Sequence, residues 1–396
     1  MDAASRPIVK LRPGKGRRLA EGAPWAYADE IAMDRRTKAL APGSLVRLVS
    51  GPEEIGLAAF NPESTIAARL LDSDGSARVD ADWFAARLRS AMALRETLFD
   101  APYYRLVHAE GDALPGVVID RFGDALAVQP NAAWADARLD ELTGAACAVT
   151  GCTRVVVNAT GRTRAKEGLD THLTVTRGSV DAPIEVPMTG ATYLADLTGG
   201  QKTGLFYDQR PNHAFAARLA RGGRVLDMFT HVGGFALAAL AGGAASALAI
   251  DSSAPALALA EDGARLTGVA DRLETRKEDA FAALSRLGAE GAVFDLVICD
   301  PPAFAPSKSA VTQGLRAYER LARLAAPLVA EGGWLMLCSC SHAVDAEGFH
   351  RASATGLRKA GRAAQLVRAG RAGPDHPQHP ALPETGYLKA LAFRLP

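Results

Sequence analysis

Four acids and one cysteine are the residues whose types and spacing can do chemistry. Asp227, Asp251, Asp279 and Asp300 each lie at or just beyond the end of a short strand-like run, and Cys340 follows a fifth such run. The sharpest signal is FDLVICDPP, residues 294–302. Its apolar run reads as a buried parallel strand. Asp300 ends it, and Pro301-Pro302 make the exit stiff, because neither proline donates a hydrogen bond and Pro302 confines Pro301 to extended geometry. An acid held at the C-terminal edge of an open α/β sheet sits where ligands bind. It suits a flat polar group such as a nucleobase edge. The competing account is an ordinary strand end with two incidental prolines.

The other acids fit one small ligand. Asp227-Met228-Phe229-Thr230-His231-Val232-Gly233-Gly234 ends the first run, and its glycines let a ligand approach the backbone. The pattern is neither GxGxxG nor GxxxxGK[ST], so a phosphate cradle is poorly supported. Asp251 ends the second run and can bind ribose hydroxyls. Asp279 follows the third and can accept from an adenine amino group, with Ala280 and Phe281 as apolar neighbours of the ring. Loop acids are common, and each alone is weak. Four successive strand ends point to an adenosine ligand without phosphates, which S-adenosylmethionine satisfies.

The fifth run ends in Cys338-Ser339-Cys340-Ser341-His342. Strands four and five are expected to be neighbours, which brings Cys340 near Asp300. A thiolate beside a methyl donor suggests methylation at carbon 5 of a pyrimidine, a carbon that reacts only after a nucleophile adds at carbon 6. Strand alternation puts Cys338 and Cys340 on one face, and only the one at the strand end need be reactive. Two small core residues are the alternative, since free cysteine packs well in apolar surroundings.

The elements that must position these groups alternate regularly from about Met188. Strands are expected at Val225–Met228, Ala247–Ile250, Leu273–Arg276, Phe294–Cys299 and Trp334–Ser339, and helices at Phe235–Ala241, Pro255–Leu266 and Leu315–Val329. Repeated β-α units imply a doubly wound, mostly parallel sheet. Residues 1–72 read as a small β-rich module, with strands near Ser44–Val49 and Thr65–Leu71. Residues 73–187 read as a linking helix, Asp80–Phe99, and a middle α+β module. In that module Phe122-Gly123-Asp124 is a hairpin turn, Ala132–Ala146 a helix and Arg154–Asn158 a strand. Arg162, Arg164 and Lys166 are placed in a loop that could touch RNA backbone, and a solvated loop is the favoured reading.

With 48% hydrophobic and 22% charged residues the 396-residue chain is globular, and a net charge of +1 excludes a global field for nucleic acid. Any such binding must use local patches. Residues 1–38 hold nine basic and five acidic side chains around Trp25 and Tyr27. They can meet phosphates and stack on bases, or they can be a solvated face over two core aromatics. The five cysteines show no metal-ligand spacing; their odd number, with no recognisable signal peptide, leads us to expect a reducing cytoplasm. Val232–Ile250, the longest uncharged run, is broken by Gly242-Gly243 and reads as helix-turn-strand rather than a membrane span.

DMFTHVGGF, IDSS, EDAF, DPPAFAPSK and CSCS together resemble the class I S-adenosylmethionine-dependent ribosomal RNA methyltransferases, in particular those forming 5-methylcytosine in 23S rRNA. The resemblance runs along nearly the whole chain. LRPGKGRRLAEGAPWAYADEI is similar to that family's PUA domain, EGDALPGVVIDRFGD to its middle domain, and GGQKTGLFYDQR and DHPQHPALPETGYLKAL to its flanking motifs. It implies a PUA-like domain at 1–72, a middle domain at 73–187 and a Rossmann-like methyltransferase domain at 188–396. It also implies Cys340 as nucleophile and Asp300 on the cytosine. Asp227, Phe229, Gly233, Asp251 and Asp279 would line the cofactor site, and Gln201, Lys202, Thr203 and Gly204 would close over it. Ala303 stands where many RNA cytosine-5 enzymes carry a second cysteine, so product release must use another group. The implied substrate is an unstacked cytosine of 23S rRNA; a homodimer is compatible with these features. Two other readings compete: an amino or guanine-N7 methyltransferase, which needs no cysteine, and a non-catalytic RNA-binding assembly factor.

Overall fold

The computed structural model describes residues 6–199 and 204–396. They fold as two compact units. The first holds the chain to Ala182, a short segment from Leu197, and Asp375–Pro383; the second holds Pro183–Asp196, Gly204–Pro374 and Glu384–Pro396.

The second unit is built on a seven-stranded sheet: β1 (Arg224–Met228), β2 (Ser246–Asp251), β3 (Leu273–Lys277), β4 (Phe294–Cys299), β5 (Val329–Ser339), β6 (Gln365–Gly370) and β7 (Lys389–Leu395). The order is β3-β2-β1-β4-β5-β7-β6. The first five strands are mutually parallel, and β7 runs antiparallel to both neighbours. The helices are α1 (Arg210–Leu219), α2 (Gly234–Ala241), α3 (Ala254–Thr267), α4 (Ala280–Ala289), α5 (Val311–Ala325) and α6 (Ala346–Lys359). β4 is buried at every position but Asp295, as a central strand covered on both faces must be. Met228, Cys299 and Leu337 are level across β1, β4 and β5. The chain therefore leaves β1 at Phe229 and β4 at Asp300 side by side, while β5 runs two residues further, to Ser339, before its exit at Cys340.

Two boundaries differ from the sequence reading. The helix expected to reach Val329 stops at Ala325 and tightens into a 3₁₀ turn at Ala326–Leu328, because Pro327 has no N–H with which to continue it. β5 starts at Val329, five residues early, and absorbs Glu331-Gly332-Gly333 as an irregularity between the pairs Phe294–Val329 and Leu296–Trp334. A hairpin of Ile184–Met188 and Ala191–Ala195, not read in the sequence, precedes the sheet. It turns at Thr189-Gly190, both at positive φ.

The first unit carries two five-stranded sheets. One is ordered Ile8–Lys10, Ser44–Ser50, Glu53–Phe60, Ala68–Asp72, Trp25–Ala26; the other is ordered His172–Arg177, Arg154–Ala159, Ala125–Pro130, Val117–Phe122, Tyr103–His108. The expected linking helix spans Ala81–Leu98, with the Asp80 carboxylate accepting from Trp83 N at 3.0 Å. The hairpin at Gly123-Asp124 forms as read. The single helix expected over Ala132–Ala146 is instead two, Ala133–Asp136 and Leu139–Thr150. Arg164 is not solvated: it is 1% exposed, bonded to Pro130 O, Asp136 and Asp170 O, while Arg162 and Lys166 are exposed. Among the described residues no helix is long and apolar enough to cross a membrane.

Arg95 is the most committed charge in this unit. It is fully buried, pairs with both oxygens of Asp112, and also donates to the Arg105 and Asp375 carbonyls. Arg95→Met leaves the Asp112 carboxylate with the His108 N–H but without its ion-pair partner, and is expected to destabilise this unit by about 3–5 kcal/mol. Urea unfolding followed by hydrogen exchange in this unit measures the loss; a change below about 1 kcal/mol would mean that Asp112 finds water or another partner.

Candidate active site

The loop after β1 is held by two carboxylates. Asp227 Oδ2 accepts from Thr230 Oγ1 at 2.6 Å and from Ala236 N, in the first turn of α2, at 2.9 Å. Asp251, at the end of β2, accepts from His231 N at 2.9 Å through Oδ2 and from Ser253 N at 2.8 Å through Oδ1. Between these anchors Phe229 and His231 have φ of 62° and 52°. Non-glycine residues keep that conformation only where the surroundings impose it, commonly at ligand clamps. Gly233 is required by packing as well as by its φ of 82°: a Cβ there would lie 2.9 Å from the Leu237 side chain. One at Gly234 would lie 3.0 Å from His213 Nε2. The two glycines thus seat the loop on its own core, a reason the sequence did not reveal.

The remaining acids differ in exposure. Asp279 is exposed and caps α4, taking Ala282 N at 2.9 Å on Oδ1; Ala280 behind it is buried. Asp300 is half-buried, and its N–H reaches Met228 O at 3.3 Å, tying the β4 exit to the β1 exit. Gly204 has φ of 84°, and a Cβ there would come within 2.8 Å of Asp196 O. Gln201, Lys202 and Thr203, read from the sequence as closing over the cofactor, lie outside the described residues.

Residues not singled out in the sequence hold the β5 exit. The Tyr318 hydroxyl on α5 lies 2.8 Å from both Ser339 Oγ and Ser341 Oγ, and Ser341 Oγ accepts from Ala305 N at 3.1 Å. Both serines face inward, so Cys340 between them faces the other way, with Sγ 3.9 Å from Pro301 O. By the strand register Asp300 is level with Cys338, and Cys340 lies two residues further along the neighbouring strand, against the Pro301 carbonyl. Cys299 and Cys338 are fully buried, and burial pushes both thiols up. Phe304 packs among Phe229, Phe281 and Tyr318, at ring separations of 6.4, 6.0 and 4.9 Å, giving an apolar wall. His342 stacks on Tyr387 at 4.9 Å, and the Tyr387 hydroxyl donates to Asp208 at 2.6 Å. These contacts join residues far apart in sequence, and only the aromatic and hydroxyl residue types hinted at them.

The donor set fits a cationic, hydroxyl-bearing ligand rather than a phosphate. The edge presents carboxylates, and Asp227 Oδ1 is a buried acceptor with no partner among the described residues. Asp251 keeps one lone pair on each oxygen beyond those already used, which suits a vicinal diol.

Parallel strands in this order, with an acid-lined C-terminal edge, define a Rossmann-like S-adenosylmethionine-dependent methyltransferase fold. Residues 127–394 match the S-adenosylmethionine-dependent methyltransferase family, and residues 9–73 a PUA-like domain. The chain is 34% identical over 396 residues to ribosomal RNA large subunit methyltransferase I of Shewanella denitrificans, covering 98% of this chain and 99% of that one. It is 33% identical to the protein of the same name from Erwinia tasmaniensis, covering 97% and 98%. A solved structure described as a SAM-dependent methyltransferase from Streptococcus mutans superposes with a TM-score of 0.83 at 18% identity over 98% of this chain and all of that one. A methyltransferase complexed with SAH superposes equally well, at 19% identity over 98% of this chain and 99% of that one. At such identities these two likenesses bear on the fold alone. The chain belongs to the ribosomal RNA large subunit methyltransferase I family. It is an S-adenosylmethionine-dependent rRNA methyltransferase with an N-terminal PUA-like domain.

Asp227 gives the site a pH signature. Burial, with Asp251 nearby, pushes its carboxyl up to about 7 against the hydrogen bonds from Thr230 and Ala236. The folded protein therefore keeps this proton to higher pH than the unfolded chain does. The associated stability is complete below the usual carboxylate range and lost as pH rises through about 7. Urea unfolding of this unit without cofactor should give lower stability at about pH 8 than at about pH 5, and Asp227→Asn should flatten that difference. Identical pH slopes in variant and wild type would show an ordinary carboxyl.

Proposed function

We propose that this protein methylates carbon 5 of an unstacked cytosine in 23S rRNA through a covalent adduct on Cys340, and that it works in the cytoplasm where that RNA is made. The observation that carries the reading is the 3.9 Å contact of Cys340 Sγ with Pro301 O, on the loop opened by Asp300. Its neighbours Cys299 and Cys338 are sealed in the core.

S-adenosylmethionine supplies an electrophilic methyl group on a sulfonium. Asp251 would hold its ribose hydroxyls and Asp279 its adenine amino group, with Phe229, Gly233, Ala280 and Gly204 around them. The buried Asp227 would brace the loop from beneath. The cofactor's positive charge explains why the edge is acidic and lacks a phosphate cradle.

The cytosine ring is flat, aromatic and poorly nucleophilic at carbon 5. The Cys340 thiolate adds at carbon 6: an S–C bond forms, and the ring's 5,6 double bond opens toward carbon 5 and N3. Asp300, as the neutral acid, would donate a hydrogen bond to the base near N3, where negative charge gathers. Carbon 5 would take the methyl group as its bond to the sulfonium breaks, the electron pair staying on that sulfur. Loss of the carbon-5 proton to a base re-forms the double bond and expels the Cys340 sulfur. The base must leave its stack to reach the site. The N-terminal module would supply RNA grip: Arg35, Arg36 and Lys38 are exposed, and Lys15 and Arg17 hold only exposed pairs with Asp29 and Glu21. Such pairs are weak enough to exchange for phosphates. Trp25 donates to Glu110 and Tyr27 lies under Arg18, so stacking on bases would first have to break these contacts.

Cys340→Ala should abolish methylation while sparing cofactor and RNA binding, whereas Cys338→Ala should lose far less. With 5-fluorocytosine in the target, fluorine replaces the departing proton, and the wild type should remain as a protein–RNA adduct on a denaturing gel. An active Cys340→Ala variant, or an active enzyme without adduct, overturns the carbon-5 mechanism and favours methylation on nitrogen. A wild type that binds both ligands but methylates no RNA favours an assembly factor.

For the cofactor, Asp251→Ala should weaken S-adenosylmethionine binding by about 1.5–3 kcal/mol, the worth of charge-assisted hydrogen bonds. Calorimetry that finds unchanged affinity in a folded variant removes Asp251 from the ribose.

A further inference from the structure

We propose that Lys389 is a positioning residue for this reaction: its ammonium fixes the turn that carries Cys340 and supplies the positive potential that keeps the Cys340 sulfur as a thiolate. The inference rests on the reading of Cys340 as nucleophile.

Lys389 is the first residue of β7 and pairs with Ser339, the last of β5. Because β7 runs antiparallel, its start lies where the parallel strands end, so a residue far along the chain arrives at the functional edge. Lys389 is 8% exposed, and its Nζ donates to Ser341 O at 2.7 Å and Val344 O at 2.8 Å. These carbonyls lie one and four residues past Cys340. Among the described residues no carboxylate pairs with Lys389 within hydrogen-bond reach. A buried ammonium bonded only to neutral carbonyls is costly, and an anchor alone needs no charge. Desolvation pushes its pKa down to about 8, opposed by the nearby Cys340 and then by Asp345. It is thus cationic at neutral pH and electrostatically coupled to the thiol.

Among the described residues the other groups around this turn are unsuited to that part. Asp345 is a carboxylate and disfavours a thiolate, as Asp300 does whenever it is ionised. Tyr318 is a phenol whose pKa is raised, mainly by burial. His342, two residues on, is stacked on Tyr387. A cation beside the turn that carries a thiol lowers the thiol's pKa.

The test is the pH dependence of Cys340 alkylation by iodoacetamide in the full-length protein without RNA, resolved by peptide mass spectrometry. Lys389→Gln keeps a donor for the carbonyls but removes the charge; Lys389→Arg keeps the charge. The wild-type midpoint should lie below the ordinary thiol value of about 8.5. Lys389→Gln should slow alkylation at neutral pH about tenfold, a shift of about one pKa unit, and Lys389→Arg should restore most of it. A wild-type midpoint at or above the ordinary value overturns the proposal. So does a Lys389→Gln profile that superposes on wild type with unchanged circular dichroism. If Lys389→Gln fails to fold, Lys389→Arg and the wild-type midpoint still decide. Alkylation requires no methyl transfer, so failure here is separable from failure of the nucleophile reading, which Cys340→Ala tests alone.

Discussion

The hydroxyl of Tyr318 is the contact on which the geometry of the site depends. It stands between Ser339 and Ser341, and Ser341 in turn receives the Ala305 N–H. One phenol thereby ties α5 to the exits of both β4 and β5. Three buried polar side chains and a backbone donor satisfy each other there, which gives the arrangement a single low-energy form. With both serines turned inward, alternation leaves Cys340 facing outward beside Pro301. The phenol ring is itself held by Phe304 and Phe349, at 4.9 and 5.0 Å.

The rest of the edge follows from charge. Carboxylates, rather than a glycine-rich nest of N–H groups, shape the loop after β1. Asp227 and Asp251 bind its backbone and hold Phe229 and His231 in the left-handed region. Acids gathered at this edge repel one another; Asp227, fully buried, holds its proton toward neutrality chiefly because burial desolvates it, with the nearby Asp251 as a smaller cause. A cationic cofactor relieves that repulsion, which favours its binding over that of an anion. Lys389 is the opposite charge at the far side of the same edge, delivered by the antiparallel strand.

The first unit spends its charges differently. Glu167 is buried and receives Ser64 Oγ at 2.6 Å, Asn61 Nδ2 at 3.2 Å and an ion pair from Arg69 at 3.0 Å. Arg95, Arg105 and Arg164 are likewise paired inside. Net charge is near zero because 45 Lys and Arg balance 44 Asp and Glu, and with several arginines committed to buried pairs the exposed basic residues that remain are local. Surface pairs such as Arg17–Glu21 are worth little in water, and RNA phosphates can compete for them.

The sequence by itself determined the parallel strands and the acids that end them. A strand buried on both faces must be an apolar run, and Asp300-Pro301-Pro302 cannot continue one. The cysteine at the end of β5 was legible for the same reason. Tertiary structure decided what each residue does. Asp227 lies under its loop, with one carboxylate oxygen spent on that loop's own backbone and hydroxyl. Gly233 and Gly234 yield to Leu237 and His213. Arg164 is buried where a solvated loop was expected, and α5 stops at Ala325, ahead of Pro327. Tyr318 and Lys389 gained their places only through the strand order. Periodicity records which side of an element is buried, a property of neighbours along the chain. It carries no record of which strand lies alongside, and the hydrogen bonds that turn Cys340 outward link residues that only that order brings together.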